Sequence, residues 1–206
     1  MIEGITAPQR AALAALTPCL DDGTYLAGGV AIAVQLHHRT SLDLDLFVPH
    51  DFDADRLAER LAVSVPGFRV VGRARGTLHG ELLACPVSVL SYRYALLTEP
   101  HAELGLPLPV ASLDDLACMK LSAIAGRGAA KDFWDLSTLL AHGVGAGNLA
   151  TLLELYLRKF PVEDVGHVVR SLAYFGDADA EPLPRGLAAE SWAAIKLDVA
   201  RRVKAL

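Results

Sequence analysis

Cysteine is scarce in this chain: Cys19, Cys85 and Cys118 are the three among 206 residues. They are too few and too scattered for a disulfide framework or a zinc site. Each has apolar neighbours, as a small core residue does. Long apolar runs are missing too, so no membrane-spanning helix is expected. Met1 to Leu20 contains Glu3 and Arg10 and has no continuous apolar core of signal type. A soluble cytoplasmic protein without membrane association is the expectation. Basic residues are not in excess, and the net charge is −5. That excludes a broad electrostatic footprint on nucleic acid and leaves room for a local basic groove. There is no Walker loop, no Rossmann fingerprint and no Gly-x-Ser-x-Gly elbow. His37-His38 has no third metal ligand at suitable spacing.

What is present begins with Leu42-Asp43-Leu44-Asp45-Leu46-Phe47-Val48. Apolar and acidic residues alternate with the period of a strand that has one buried face. Asp43 and Asp45 then project from the same face, roughly 6–7 Å apart. Packing alone gives no reason to set two carboxylates side by side. A divalent cation between them would remove their repulsion. Gly28-Gly29 lies upstream, where the backbone could approach a phosphate closely.

The first half of the chain reads as an α/β domain over residues 1–111. A helix is predicted from Pro8 to Leu20, a strand over 24–27, and a short helix over 30–36. After the acidic strand come a helix over 54–63 capped by Asp53 and strands over 68–74, 77–84 and 87–92. Gly76 and the Cys85-Pro86 pair mark the expected junctions. A proline-rich loop spans residues 99–109. From Ser112 the composition turns helical, giving a second domain over 112–206. Ser112 and Asp115 form a helix-start signal. Further helices are expected over 129–141, 148–160, 162–174 and 187–203. The class is α+β: a mixed sheet flanked by helices, then a helical bundle that completes an active-site cleft. A cleft between such halves is the default place for a ligand.

Lys120 falls on the apolar stripe formed by Leu113, Leu116, Ala117, Ala123 and Ile124. A lysine there needs a partner, an anionic ligand or a route to solvent for its head. Arg127 follows, and then Lys131-Asp132-Phe133-Trp134-Asp135-Leu136. On a helix, Asp132 and Asp135 share a face, and Lys131 and Asp135 can pair across one turn.

A Gly-Gly pair followed by thirteen residues and then Asp-x-Asp resembles the signature of the minimal nucleotidyltransferases, the DNA polymerase-beta-like superfamily. Lys120, Arg127 and the Lys131-Asp132-x-x-Asp135-Leu136 element are similar to motifs of the AbiEii/AbiGii-type nucleotidyltransferase toxin family. Gly76-Thr77-Leu78-His79-Gly80 and Val87-Ser88-Val89-Leu90 also resemble one branch of it. The resemblance implies a nucleotidyltransferase that moves an NMP from an NTP to an acceptor such as tRNA or a protein. It also implies a possible toxin role, with a cognate antitoxin as partner. Asp43 and Asp45 would hold Mg²⁺ or Mn²⁺, and Gly28 and Gly29 would approach the phosphates. Lys120, Arg127, Lys131 and Asp135 would contact the nucleotide, and Asp132 would join Asp43, Asp45 and Lys120 in catalysis. Two departures stand out. Gly29 replaces the serine of many relatives, and Ser88 stands where many place a third carboxylate. The alternative is a catalytically degenerate module of the same fold that binds nucleotide or protein.

Overall fold

The structure, a computed structural model, describes residues 4–102 and 105–206. Met1 to Glu3, and Glu103 and Leu104 of the proline-rich loop, lie outside the described residues. The chain divides into two compact units. One comprises residues 1–94 and 99–112, the other 95–98 and 113–206.

The first unit opens with α1 (Ala7–Leu16), started by a capping box in which Thr6 and Gln9 bond each other's backbone. The helix stops short of the expected Leu20. Pro18 has no N–H to continue it, and Thr17–Cys19 closes as a 3₁₀ turn. Then follow β1 (Tyr25–Ala27), α2 (Gly28–Leu36), β2 (Leu44–Val48) and α3 (Ala54–Ser64). The strands β3 (Arg69–Ala74), β4 (Thr77–Leu82) and β5 (Cys85–Ser91) complete the unit. The sheet order is β1-β2-β5-β4-β3. Strands β2 and β5 are parallel, and every other pair is antiparallel. Helix α2 packs on β1 and β2, α3 on β3 and β4, and α1 on β5.

Alternation along the strands sets two faces. Leu44, Leu46 and Val48, with Val87, Val89, Leu78 and Leu82, are buried in the core. The alternate residues Asp45, Ser88 and His79 lie partly or fully exposed on the other face. One junction differs from expectation. Cys85 and Pro86 lie inside β5, and the hairpin turns at Leu83-Ala84, both at positive φ (53° and 59°). That is the backbone of a two-residue primed turn, here without the glycine or asparagine that usually signals it.

The second unit is helical. It contains α4 (Leu113–Gly126), α5 (Ala130–Ala141), α6 (Leu149–Lys159), α7 (Gly166–Leu172), α8 (Gly176–Ala180) and α9 (Ala189–Lys204). Helix α4 packs against α5, α6 and α7, and α5 and α7 both meet α9. Gly128, at φ +57°, makes the break between α4 and α5. Helix α7 is shorter than the predicted 162–174. Asp164 accepts from the Gly166 N–H at 2.7 Å and starts the helix late. Trp192 packs at home: its ring lies 5.8 Å from Phe133 and 6.0 Å from Phe175, and its indole N–H donates to Asp179.

Candidate active site

The acidic strand and the Gly-Gly pair are built against each other inside the first unit. Ala27 pairs with Asp45 across β1 and β2, so Gly28 emerges beside that carboxylate. Gly28 has φ +65°, and a Cβ there would collide with Asp45, its Oδ2 nearest. Only glycine satisfies both the dihedral and the space. The Asp45 carboxylate therefore covers the start of α2, where the helix dipole favours negative charge. Asp43 stands immediately before β2, two residues from Asp45 and half-buried.

The same sheet face continues sideways from Asp45. Ser88 of β5 is its register partner, and His79 of β4 is the partner of Ser88. Ser88 Oγ and His79 Nδ1 share a hydrogen bond of 3.0 Å. Glu81, two residues along β4 from His79, is paired with Arg69 at 2.7 Å.

Among the described residues, no group of three or more His, Cys, Asp or Glu side chains is arranged to hold a metal by itself. Mg²⁺ keeps several waters and is commonly held by one or two carboxylates plus substrate phosphates. Asp43 and Asp45, two carboxylates beside the start of α2, fit that mode. Their hard oxygens suit Mg²⁺ or Mn²⁺.

The second unit brings four other candidates together. Lys120 of α4, 6% exposed, places Nζ 2.9 Å from Asp132 and 2.7 Å from Asp135. Both aspartates are fully buried on α5. Arg127 bonds Asp132 through Nε at 2.8 Å and Nη2 at 2.9 Å. Two cations and two carboxylates thus balance. Burial alone would lower the Lys120 pKa, but the charges of Asp135 and Asp132 outweigh it and hold it above its ordinary value. Burial would likewise raise Asp132, but the Arg127 hydrogen bond and the Lys120 charge hold it below the usual carboxylate range. Lys131 is half-exposed and outside this cluster. The sequence suggested a Lys131–Asp135 pair along the helix. Instead Asp135 faces inward, and its ammonium partner comes from α4.

Sequence reasoning missed a second buried pair. Asp115 accepts from Lys159 Nζ at 2.6 Å, and both side chains are fully buried. Asp115 also accepts from the N–H groups of Leu97 and Thr98, and Lys159 donates to the Ala95 carbonyl. Asp115 is thus no mere helix-start charge: with Lys159 it ties segment 95–98 to the helical unit. A signal existed. Lys159 continues the buried stripe Leu152, Leu153 and Tyr156 of α6, the same criterion that singles out Lys120.

Comparison with known proteins gives the family. Residues 80–205 match the model of the nucleotidyl transferase AbiEii toxin family of type IV toxin–antitoxin systems. An uncharacterised protein of Aquifex aeolicus (strain VF5) is 37% identical over 163 residues, covering 76% of each chain. Among solved structures, MenT4, a nucleotidyltransferase toxin from Mycobacterium tuberculosis H37Rv, superposes with a TM-score of 0.59. It is 19% identical, and the match covers 96% of this chain and 82% of that one. The antibiotic-resistance factor ANT(2'')-Ia gives a TM-score of 0.52 at 15% identity, covering 75% and 92%. These two likenesses are of fold. No helix among the described residues is long and apolar enough to cross a membrane. With the matched region spanning most of the chain and the expected α+β fold in place, this protein belongs to the AbiEii nucleotidyltransferase toxin family.

Proposed function

We propose that this chain transfers an NMP from an NTP to an acceptor hydroxyl on an RNA such as tRNA, with Mg²⁺ as cofactor. The acceptor could equally be sought among proteins, and one experiment distinguishes the two. The observation that carries the proposal is the seating of Asp45 over Gly28. It makes the start of α2 and the acidic strand parts of one construction. Mg²⁺, held by Asp43 and Asp45, would neutralise charge on the triphosphate at the transferring phosphorus.

The chain's own groups then have distinct tasks. Gly28 and Gly29, which carry no side chains of their own, form the helix start at which phosphate oxygens would be received. The family resemblance alone assigns Lys120 and Asp132 to catalysis and Arg127, Lys131 and Asp135 to nucleotide binding. The acceptor hydroxyl attacks the α-phosphorus, its proton leaves to a base or to solvent, and pyrophosphate departs. As a toxin, the protein would be paired with a cognate antitoxin that silences this reaction. The domain division proposed for this function is 1–111 and 112–206.

A second reading is favoured by one observation: the register partner of Asp45 on β5 is Ser88 and not an acid. A module that binds nucleotide without turning it over would look the same there. The test is label transfer from each α-³²P NTP, with Mg²⁺, to total RNA and to total protein. Label on RNA that disappears with Asp45→Asn supports the proposal. Label on protein moves the acceptor class. No label with either acceptor, alongside intact nucleotide binding, supports the second reading.

A further inference from the structure

The acceptor hydroxyl must shed a proton as its oxygen bonds to phosphorus, and that proton needs a destination. Asp43 and Asp45 are metal ligands in the reading above. Glu81 is engaged by Arg69 at 2.7 Å. The sheet face that carries Asp45 offers another pair: Ser88 Oγ lies 3.0 Å from His79 Nδ1.

The strand ladder brings these residues into one row. Parallel pairing sets Ser88 of β5 beside Asp45 of β2, and antiparallel pairing sets His79 of β4 beside Ser88. Register partners project from the same face of a sheet. Carboxylate, hydroxyl and imidazole therefore follow one another across three neighbouring strands. Beyond His79 the row ends on Gly72 of β3. A Cβ at Gly72 would meet nothing within 4 Å. His79 is exposed and Ser88 half-buried. The imidazole thus meets Ser88 on one flank and is open to water on the other. A hydroxyl within hydrogen-bond reach of an imidazole is the arrangement in which a proton is drawn off an oxygen.

We propose that Ser88 and His79 carry away the proton of the attacking hydroxyl, Ser88 in contact with the acceptor and His79 behind it. The inference rests on the transferase reading above. The acceptor oxygen bonds to the α-phosphorus, and the bond from that phosphorus to the departing pyrophosphate oxygen breaks. The hydroxyl's proton passes to Ser88 Oγ, and Ser88 gives its own proton to His79 Nδ1. The imidazolium then returns a proton from Nε2 to water. Ser88 is the catalytic residue, and His79 is a positioning residue that acts through it. The relay requires the ring proton of the resting His79 to be on Nε2, with Nδ1 accepting from Ser88. Ser88 in place of an acid is then part of a working proton acceptor and no sign of lost chemistry.

The test uses the full chain with Mg²⁺, an α-³²P NTP and the acceptor class that the wild type labels. His79→Ala and Ser88→Ala each lower kcat by about 100-fold, the low end of what general acid–base groups contribute. NTP affinity, read by calorimetry, stays at the wild-type value in both. The double variant falls no further than either single one, because both changes interrupt one relay. Added imidazole raises the rate of His79→Ala and leaves Ser88→Ala unchanged. Independently of activity, ¹⁵N NMR of the His79 ring places its proton on Nε2. Wild-type kcat in both single variants overturns the relay. So does a loss in His79→Ala that imidazole leaves untouched, or a ring proton on Nδ1. A wild-type chain that transfers no label to RNA or protein overturns the transferase reading and the relay with it.

Discussion

Replacing Lys120 by alanine removes the ammonium that lies 2.9 Å from one buried carboxylate and 2.7 Å from another. Asp132 keeps the two bonds from Arg127, so most of the loss falls on Asp135. Breaking a buried pair by deleting one partner costs about 3–5 kcal/mol, because the other charge stays desolvated. Against a total stability of about 5–15 kcal/mol, that is a large share. At about 2–4 °C per kcal/mol for a chain of this size, the melting temperature falls by roughly 6–20 °C. Circular dichroism with heat and with urea reads both quantities. Removing both sides, in Lys120→Met with Asp135→Leu, costs less than Lys120→Ala alone, since no stranded charge remains. A Lys120→Ala protein within about 1 kcal/mol of wild type would refute the reasoning: the cluster would then be solvated and the ion pairs worth little.

Three other outcomes are expected. Asp43→Asn and Asp45→Asn each abolish Mg²⁺-dependent NTP binding while the chain stays folded; calorimetry reads the first and circular dichroism the second. Gly28→Ala destabilises by more than about 1 kcal/mol in urea titration, because φ is +65° and the new Cβ meets Asp45. Asp132, held low in the folded state, contributes its full stability above the unfolded value near ~3.9 and loses it as pH falls through its folded value. The gap in urea midpoint between wild type and Asp132→Asn therefore narrows below about pH 4, whereas a gap that stays constant would contradict the shift.

Burial also pushes the Cys118 thiol up to about 12, with Lys159 pulling it down and Asp115 adding to the rise. That fits the sequence reading of a small core cysteine.

Much of the first unit was legible because its signals are local. The alternation in Leu44-Asp45-Leu46 fixes which side of β2 is buried, and Gly28-Gly29 sits where a strand meets a helix. The Leu83-Ala84 turn was not legible, since it places ordinary residues at positive φ and so carries no turn composition. Lys120 was visible as a cation on an apolar stripe, but its partners were not. Asp132 and Asp135 lie on another helix, and spacing within α5 suggested Lys131 instead. Asp115 and Lys159 are separated by 44 residues, and only the stripe position of Lys159 hints at burial.

The most direct measurement is pyrophosphate release by the purified chain with Mg²⁺, an NTP and total RNA, wild type against Asp45→Asn. The expected result is release that matches NMP added to RNA mole for mole and vanishes in the variant. Release that persists in Asp45→Asn would contradict the assignment of the reaction to this strand.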